Sequence, residues 1–164
     1  MADSTDLKYM RLAIEQAKQG VRDGQSPFGA VVVKATEDGR GEIVCAVHNV
    51  VWETTDITAH AEVHALREAC KALGTVDLRG CTVYTSTEPC PMCFAAIHWA
   101  NCDRIVFGTT IEDADRAGFR ELSISNEQMK ALGGATVEVE GGVLREEAQE
   151  AFDLFAEVSE GKLY

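Results

Sequence analysis

The chain has 164 residues, 46% of them hydrophobic and 26% charged, which suits one globular domain with a real core and is too short for two comfortable ones. Its net charge of -12 and isoelectric point near 4.7 argue against a large phosphate-backbone footprint, because nucleic-acid binders usually show a basic patch. A small neutral substrate is the better match, and nucleic acid is not an expected partner.

Met1 to Asp6 lacks the basic and apolar regions of a signal peptide. No stretch is long and apolar enough to span a membrane, so a cytoplasmic chain is expected. Six cysteines then read as ligands plus buried thiols rather than a disulfide framework. Cys45, Cys70, Cys81 and Cys102 are expected to be small core residues.

Leu7, Met10, Ile14, Ala17 and Val21 fall at helical spacing behind Ser4, Thr5 or Asp6 as caps, and Gly24 and Pro27 end that helix. Gly29 to Val33 reads as a buried strand, and the turn residues 37–41 join it in a hairpin to a second strand at Ile43 to Val47. A long connection, 48–58, delivers the chain to His60 in the first turn of a helix that runs to Gly74. A third strand covers Cys81 to Ser86, and Cys90 opens the next helix with Pro91 in its first turn. A fourth strand, Arg104 to Gly108, leads into a polar loop expected from Thr109 to Glu121. A short helix (126–132), a fifth strand (136–140) and a last helix (145–158) follow. Strands alternating with helices after a hairpin give a mixed five-stranded sheet with helices on both faces, a three-layer α/β/α sandwich.

The chemistry concentrates in His60-Ala61-Glu62 and Pro89-Cys90-Pro91-Met92-Cys93. One histidine and two cysteines suit zinc, which takes both nitrogen and thiolate sulfur. Three protein ligands leave a tetrahedral position for water, whose pKa the metal draws down to about 7. Glu62 is not needed as a ligand and is placed to move protons, the arrangement of the zinc deaminase signature. Cys90 at a helix N-terminus should have a lowered pKa, keeping both sulfurs as thiolates. Two other readings of the cysteine pair stand beside this one. It could be a redox pair, or half of a structural zinc site closed by Cys45, Cys70, Cys81, Cys102, His64 or His98.

Those segments, with Pro27-Phe28-Gly29-Ala30, Ala96 to Ala100 and Asp113 to Phe119, resemble the cytidine-deaminase-like superfamily over essentially the whole chain. Within it the chain is most similar to the bacterial guanine deaminases. The resemblance implies zinc-dependent hydrolysis of guanine to xanthine and ammonia, with one Zn2+ per subunit held by His60, Cys90 and Cys93. It implies Glu62 as the proton-transfer residue and Asn49 as a contact to the base. Phe28 would pack on the purine, and Asp113 would take part in guanine recognition and proton transfer. It also implies a homodimer in which residues 145–164 can exchange between subunits, with Tyr164 closing the active site. Each position has a plainer reading: an Asx turn for Asn49, core for Phe28, a solvated acidic loop for Asp113, an unattached terminus for Tyr164.

The pattern departs from its relatives at Arg120-Glu121, where they tend to carry two acids. That leaves a related aminated heterocycle or nucleoside, or the adenosine of a tRNA loop, as a rival substrate. A zinc-stabilised interaction protein is the non-enzymatic rival.

Overall fold

The computed structural model describes residues 4–160 and 163–164. Gly161 and Lys162 of the expected tail lie outside them. The elements run α1 (Ser4–Arg22), β1 (Gly29–Lys34), β2 (Glu42–His48), α2 (Val51–Thr54), α3 (Ala61–Leu73), β3 (Cys81–Thr87), α4 (Pro91–Trp99), β4 (Arg104–Thr109), α5 (Ile111–Arg116), α6 (Asn126–Gly133), β5 (Glu138–Glu140) and α7 (Arg145–Val158).

The sheet order is β2-β1-β3-β4-β5. β1 is antiparallel to both β2 and β3, whereas β3, β4 and β5 are parallel. Alternate residues of the central strands face opposite layers, as the period of two requires. Ala30, Val32, Val83 and Ile105 pack with Ala61, Ala65, Leu66, Phe94 and Ile97 of α3 and α4. Val31, Val33, Tyr84 and Val106 pack instead with Tyr9, Met10 and Ala13 of α1. These central strands are buried on both faces, which explains why they read as continuous apolar runs. Gly29 allows α1 to lie close on β1, since a Cβ there would sit 2.2 Å from the Ala13 carbonyl oxygen.

The three-layer sandwich and its mixed five-stranded sheet are as the sequence predicts. Two local readings differ. The 48–58 connection contains α2, whose first N–H, on Val51, donates to Asn49 Oδ1 at 3.0 Å. The expected loop after Thr109 holds α5, started by a capping box between Thr110 and Asp113.

Candidate active site

The site forms where β3 and β4 end and β1 begins. His60 is the N-cap of α3, one residue before the first turn, and Cys90 is the N-cap of α4, with Pro91 at N1. Both caps have extended backbone, which turns their side chains toward one another from two neighbouring helix starts. His60 Nδ1 lies 3.7 Å from Cys90 Sγ and 3.6 Å from Cys93 Sγ. A tetrahedral zinc with usual Zn–N and Zn–S bonds separates such ligands by about 3.6 Å. Among the described residues no further His, Cys, Asp or Glu joins this group. His64, His98 and the other four cysteines stay outside it, so no fourth protein ligand closes the set. The donors and their spacing fit zinc with one position left for a non-protein ligand.

The electrostatics of the group are strongly coupled. The Cys93 thiol donates to Cys90, and with His60 this draws Cys90 down to about 4 despite burial. Cys93 is raised because it holds the proton that stabilises the Cys90 thiolate, and burial and Glu62 add to this. A dication replacing that proton ionises both sulfurs. Burial lowers His60, but the Cys90 contact and the Glu62 charge outweigh it, so His60 is raised. Burial raises Glu62, and the Cys90 charge adds to it. Cys93 Sγ lies 3.5 Å from Glu62 Oε2, so the carboxyl stands beside the ligand group.

A cavity of about 250 Å3 opens onto His60, Glu62 and Cys90. Its walls include the aromatic rings of Phe28, Phe119 and Tyr164, and the acid of Glu121. Phe28 meets Phe119 edge-on at 4.9 Å between ring centres. Tyr164 lies 5.6 Å from the His60 ring and 6.1 Å from Phe119. The terminal tyrosine is thus attached, over the site of its own chain. Burial raises its hydroxyl, against the bonds it makes.

Asn49 is fully buried and both halves of its amide have protein partners. Its Oδ1 closes the turn into α2, and its Nδ2 donates to the Tyr164 hydroxyl at 2.5 Å. The plainer Asx-turn reading is present, and the residue also anchors the tail.

Asp113 is not brought to this group. Its carboxylate accepts from the Thr110 N–H at 2.9 Å and from Arg145 at 2.6 and 3.0 Å, and it pairs with Arg116. Burial pushes it up, but these partners outweigh burial and hold it well below the usual carboxylate range. The structure does not bring Asp113 to the cavity, because the capping box turns its side chain back onto its own helix. Glu121 occupies the cavity in its place. Burial, and then the Cys90 charge, push it up to about 7. The sequence reading gave the site role to Asp113 and noted Arg120-Glu121 only as a departure from the relatives' two acids. The available signal was the two-residue spacing, which in extended chain puts Phe119 and Glu121 on one side.

Residues 3–109 match the family model described as the cytidine and deoxycytidylate deaminase zinc-binding region. The Bacillus subtilis guanine deaminase is 43% identical over 120 residues, 73% of this chain and 74% of that protein. The Bacillus subtilis tRNA-specific adenosine deaminase is 38% identical over 142 residues, 87% of this chain and 83% of that one. The solved structure of the guanine deaminase from Nitrosomonas europaea superposes with a TM-score of 0.81 at 28% identity, covering 95% of this chain and 86% of its own.

Proposed function

We propose that this chain, which belongs to the cytidine and deoxycytidylate deaminase zinc-binding family, hydrolyses guanine to xanthine and ammonia. Family membership makes it a zinc-binding hydrolase of C–N bonds in cyclic amidines. The guanine assignment rests on one observation above all: a small aromatic slot, closed over by Tyr164, with the Glu121 acid on its wall. Aromatic walls suit a flat base. The edge of guanine that carries the amine presents adjacent N–H donors, which a carboxylate accepts together. Adenine and cytosine present a donor beside an acceptor instead. The match to the Bacillus guanine deaminase agrees with this reading.

When bound by His60, Cys90 and Cys93, zinc supplies an activated water at neutral pH. Glu62 would pass one proton of the attacking water to the ring nitrogen as the C–O bond forms, then pass the remaining hydroxyl proton to the amine, which leaves as ammonia as the C–N bond breaks, serving as base and then acid in each transfer. Its burial, which favours the protonated form, suits the second role. Phe28 and Phe119 hold the ring flat, Glu121 binds the amine-bearing edge, and Tyr164, held by Asn49, excludes bulk water.

The second reading, deamination of adenosine in tRNA, is favoured by the longer match to the Bacillus tRNA-specific enzyme. The Tyr164 closure and the net charge of -12 oppose a polynucleotide in the slot. Ammonia release from zinc-loaded protein separates the readings, with guanine, guanosine, adenine, cytosine and a tRNA anticodon stem-loop as substrates. Guanine should be turned over far above the rest. Turnover of the stem-loop with guanine silent overturns the assignment.

A homodimer belongs to the same proposal. Helix α4 is apolar around its circumference, and such helices are normally buried on all sides. Yet Trp99 is 80% exposed and Met92 38%. Helix α7 pairs with α1 through Arg11–Glu147 and Lys18–Glu150, contacts that the same helix of a partner makes equally if residues 145–164 exchange between subunits. Wild type should scatter light as a dimer and Trp99→Lys as a monomer. No helix among the described residues is long and apolar enough to cross a membrane, and two free thiols needed as metal ligands fit the reducing cytoplasm.

A further inference from the structure

We infer that Glu88 is a positioning residue for the deamination, tying the loop that carries Cys90 to both ends of the segment that carries Phe119 and Glu121. The inference rests on the zinc deaminase reading and not on which base is the substrate. Glu88 lies in the short crossing between β3 and Cys90, with its N–H donating to the Thr109 carbonyl at 2.8 Å. Its side chain is buried, 8% exposed. One carboxylate oxygen accepts from the Ile111 N–H at 3.2 Å, and the other from the Asn126 N–H at 2.8 Å. Those are the first residues of α5 and α6. The chain between them carries Phe119 and Glu121 and is held besides by Phe119 packing on Phe152 and Phe155 and by the Asp113–Arg145 pair. Asn126 adds a second link, its Nδ2 donating to the Pro89 carbonyl at 2.6 Å.

The chemistry calls for glutamate at this position. A buried carboxylate needs partners, and a helix start offers N–H groups that have none within the helix. Two separate N–H donors require an acceptor on each side of one side-chain end. A glutamine has a single acceptor oxygen, and its NH2 would face the other N–H donor. An aspartate is one methylene shorter and reaches only one of the two starts. Glu88 therefore sets the spacing between the metal ligands and the wall that meets the substrate, although it lies two residues from Cys90 and ligates nothing.

The test compares wild type and Glu88→Gln as zinc-loaded proteins. Glu88→Gln should keep one zinc per chain. Amide hydrogen exchange across residues 117–125 should speed up at least tenfold while β3 and α4 keep wild-type protection. kcat/KM on the best substrate of the wild type should fall at least tenfold. In a Glu121→Gln background the same change should cost less than threefold, because a tie that acts through the Glu121 segment has little left to misplace. Unchanged exchange in 117–125, loss of zinc, or an equal fold-loss in both backgrounds overturns the inference. Full activity of Glu121→Gln alone would instead remove Glu121 from the proposed reaction, and the exchange data would still decide the tie. Should Glu88→Gln fail to fold, Glu88→Asp keeps the charge, gives up one of the two bonds and is read by the same exchange criterion.

Discussion

Asp113 and Glu121 lie on one stretch of chain, and their surroundings pull them in opposite directions. Asp113 is ringed by donors: the Thr110 N–H and hydroxyl, Arg145 and Arg116. It is ionised and occupied in fixing the start of α5 and the seat of α7. Among the described residues Glu121 pairs with no guanidinium, and it faces the cavity, where burial and then the Cys90 charge push its pKa up to about 7. An acid that recognises a base must be accessible to it, and one that is fully paired within the fold cannot also serve a substrate. Site chemistry therefore follows the local hydrogen bonds and not the count of acids in a motif.

The largest effect that follows is at Glu62. Glu62→Gln should keep zinc and lose roughly two to four orders of magnitude in kcat, seen by comparing metal content with ammonia release. Retained turnover would take the proton-transfer role away from Glu62 and leave the two-acid contrast without its catalytic anchor.

Asp113→Asn should act on stability. Urea unfolding at pH 7 should show a loss of roughly 1 to 3 kcal/mol, kept modest because solvent screens both guanidiniums. The direction with pH follows from the depressed value of Asp113. Its contribution is complete above the unfolded carboxyl value of about 3.9 and fades as pH falls through the folded value. The gap between wild type and Asp113→Asn should therefore narrow as unfolding is repeated below about pH 4. A constant gap would mean that the ion pairs contribute nothing.

The smallest effect belongs to Tyr164→Phe. It removes the hydroxyl that accepts from Asn49 but keeps the ring, so KM should rise by a few-fold with kcat nearly unchanged. A fall in kcat with KM unchanged would give the hydroxyl a role in the chemistry that this account does not.

The metal side was legible in the sequence because its determinants are local. His60 and Cys90 each sit at a helix start, and Cys93 follows one turn later, so spacing alone brings ligands to two adjacent caps. The buried strands were legible too, as apolar runs bounded by turn residues. The opposite wall was not. Thr110 and Asp113 form a capping box, a signal that was present but was masked by the acids around it, so α5 read as a polar loop. Glu121 carries only a weak local mark, its two-residue spacing from Phe119. Its burial depends on Phe28, Phe119 and the tail converging from distant parts of the chain. Asn49 shows a third case, in which one side chain satisfies a turn through its oxygen and a tertiary contact through its nitrogen.

The measurement that bears most directly on the contrast is kcat/KM for guanine with Glu121→Gln and Asp113→Asn side by side, both zinc-loaded and corrected for folded fraction. The account predicts a loss of about a hundredfold or more for Glu121→Gln and a value within a few-fold of wild type for Asp113→Asn. The reverse order, with Asp113→Asn crippled and Glu121→Gln active, would contradict it.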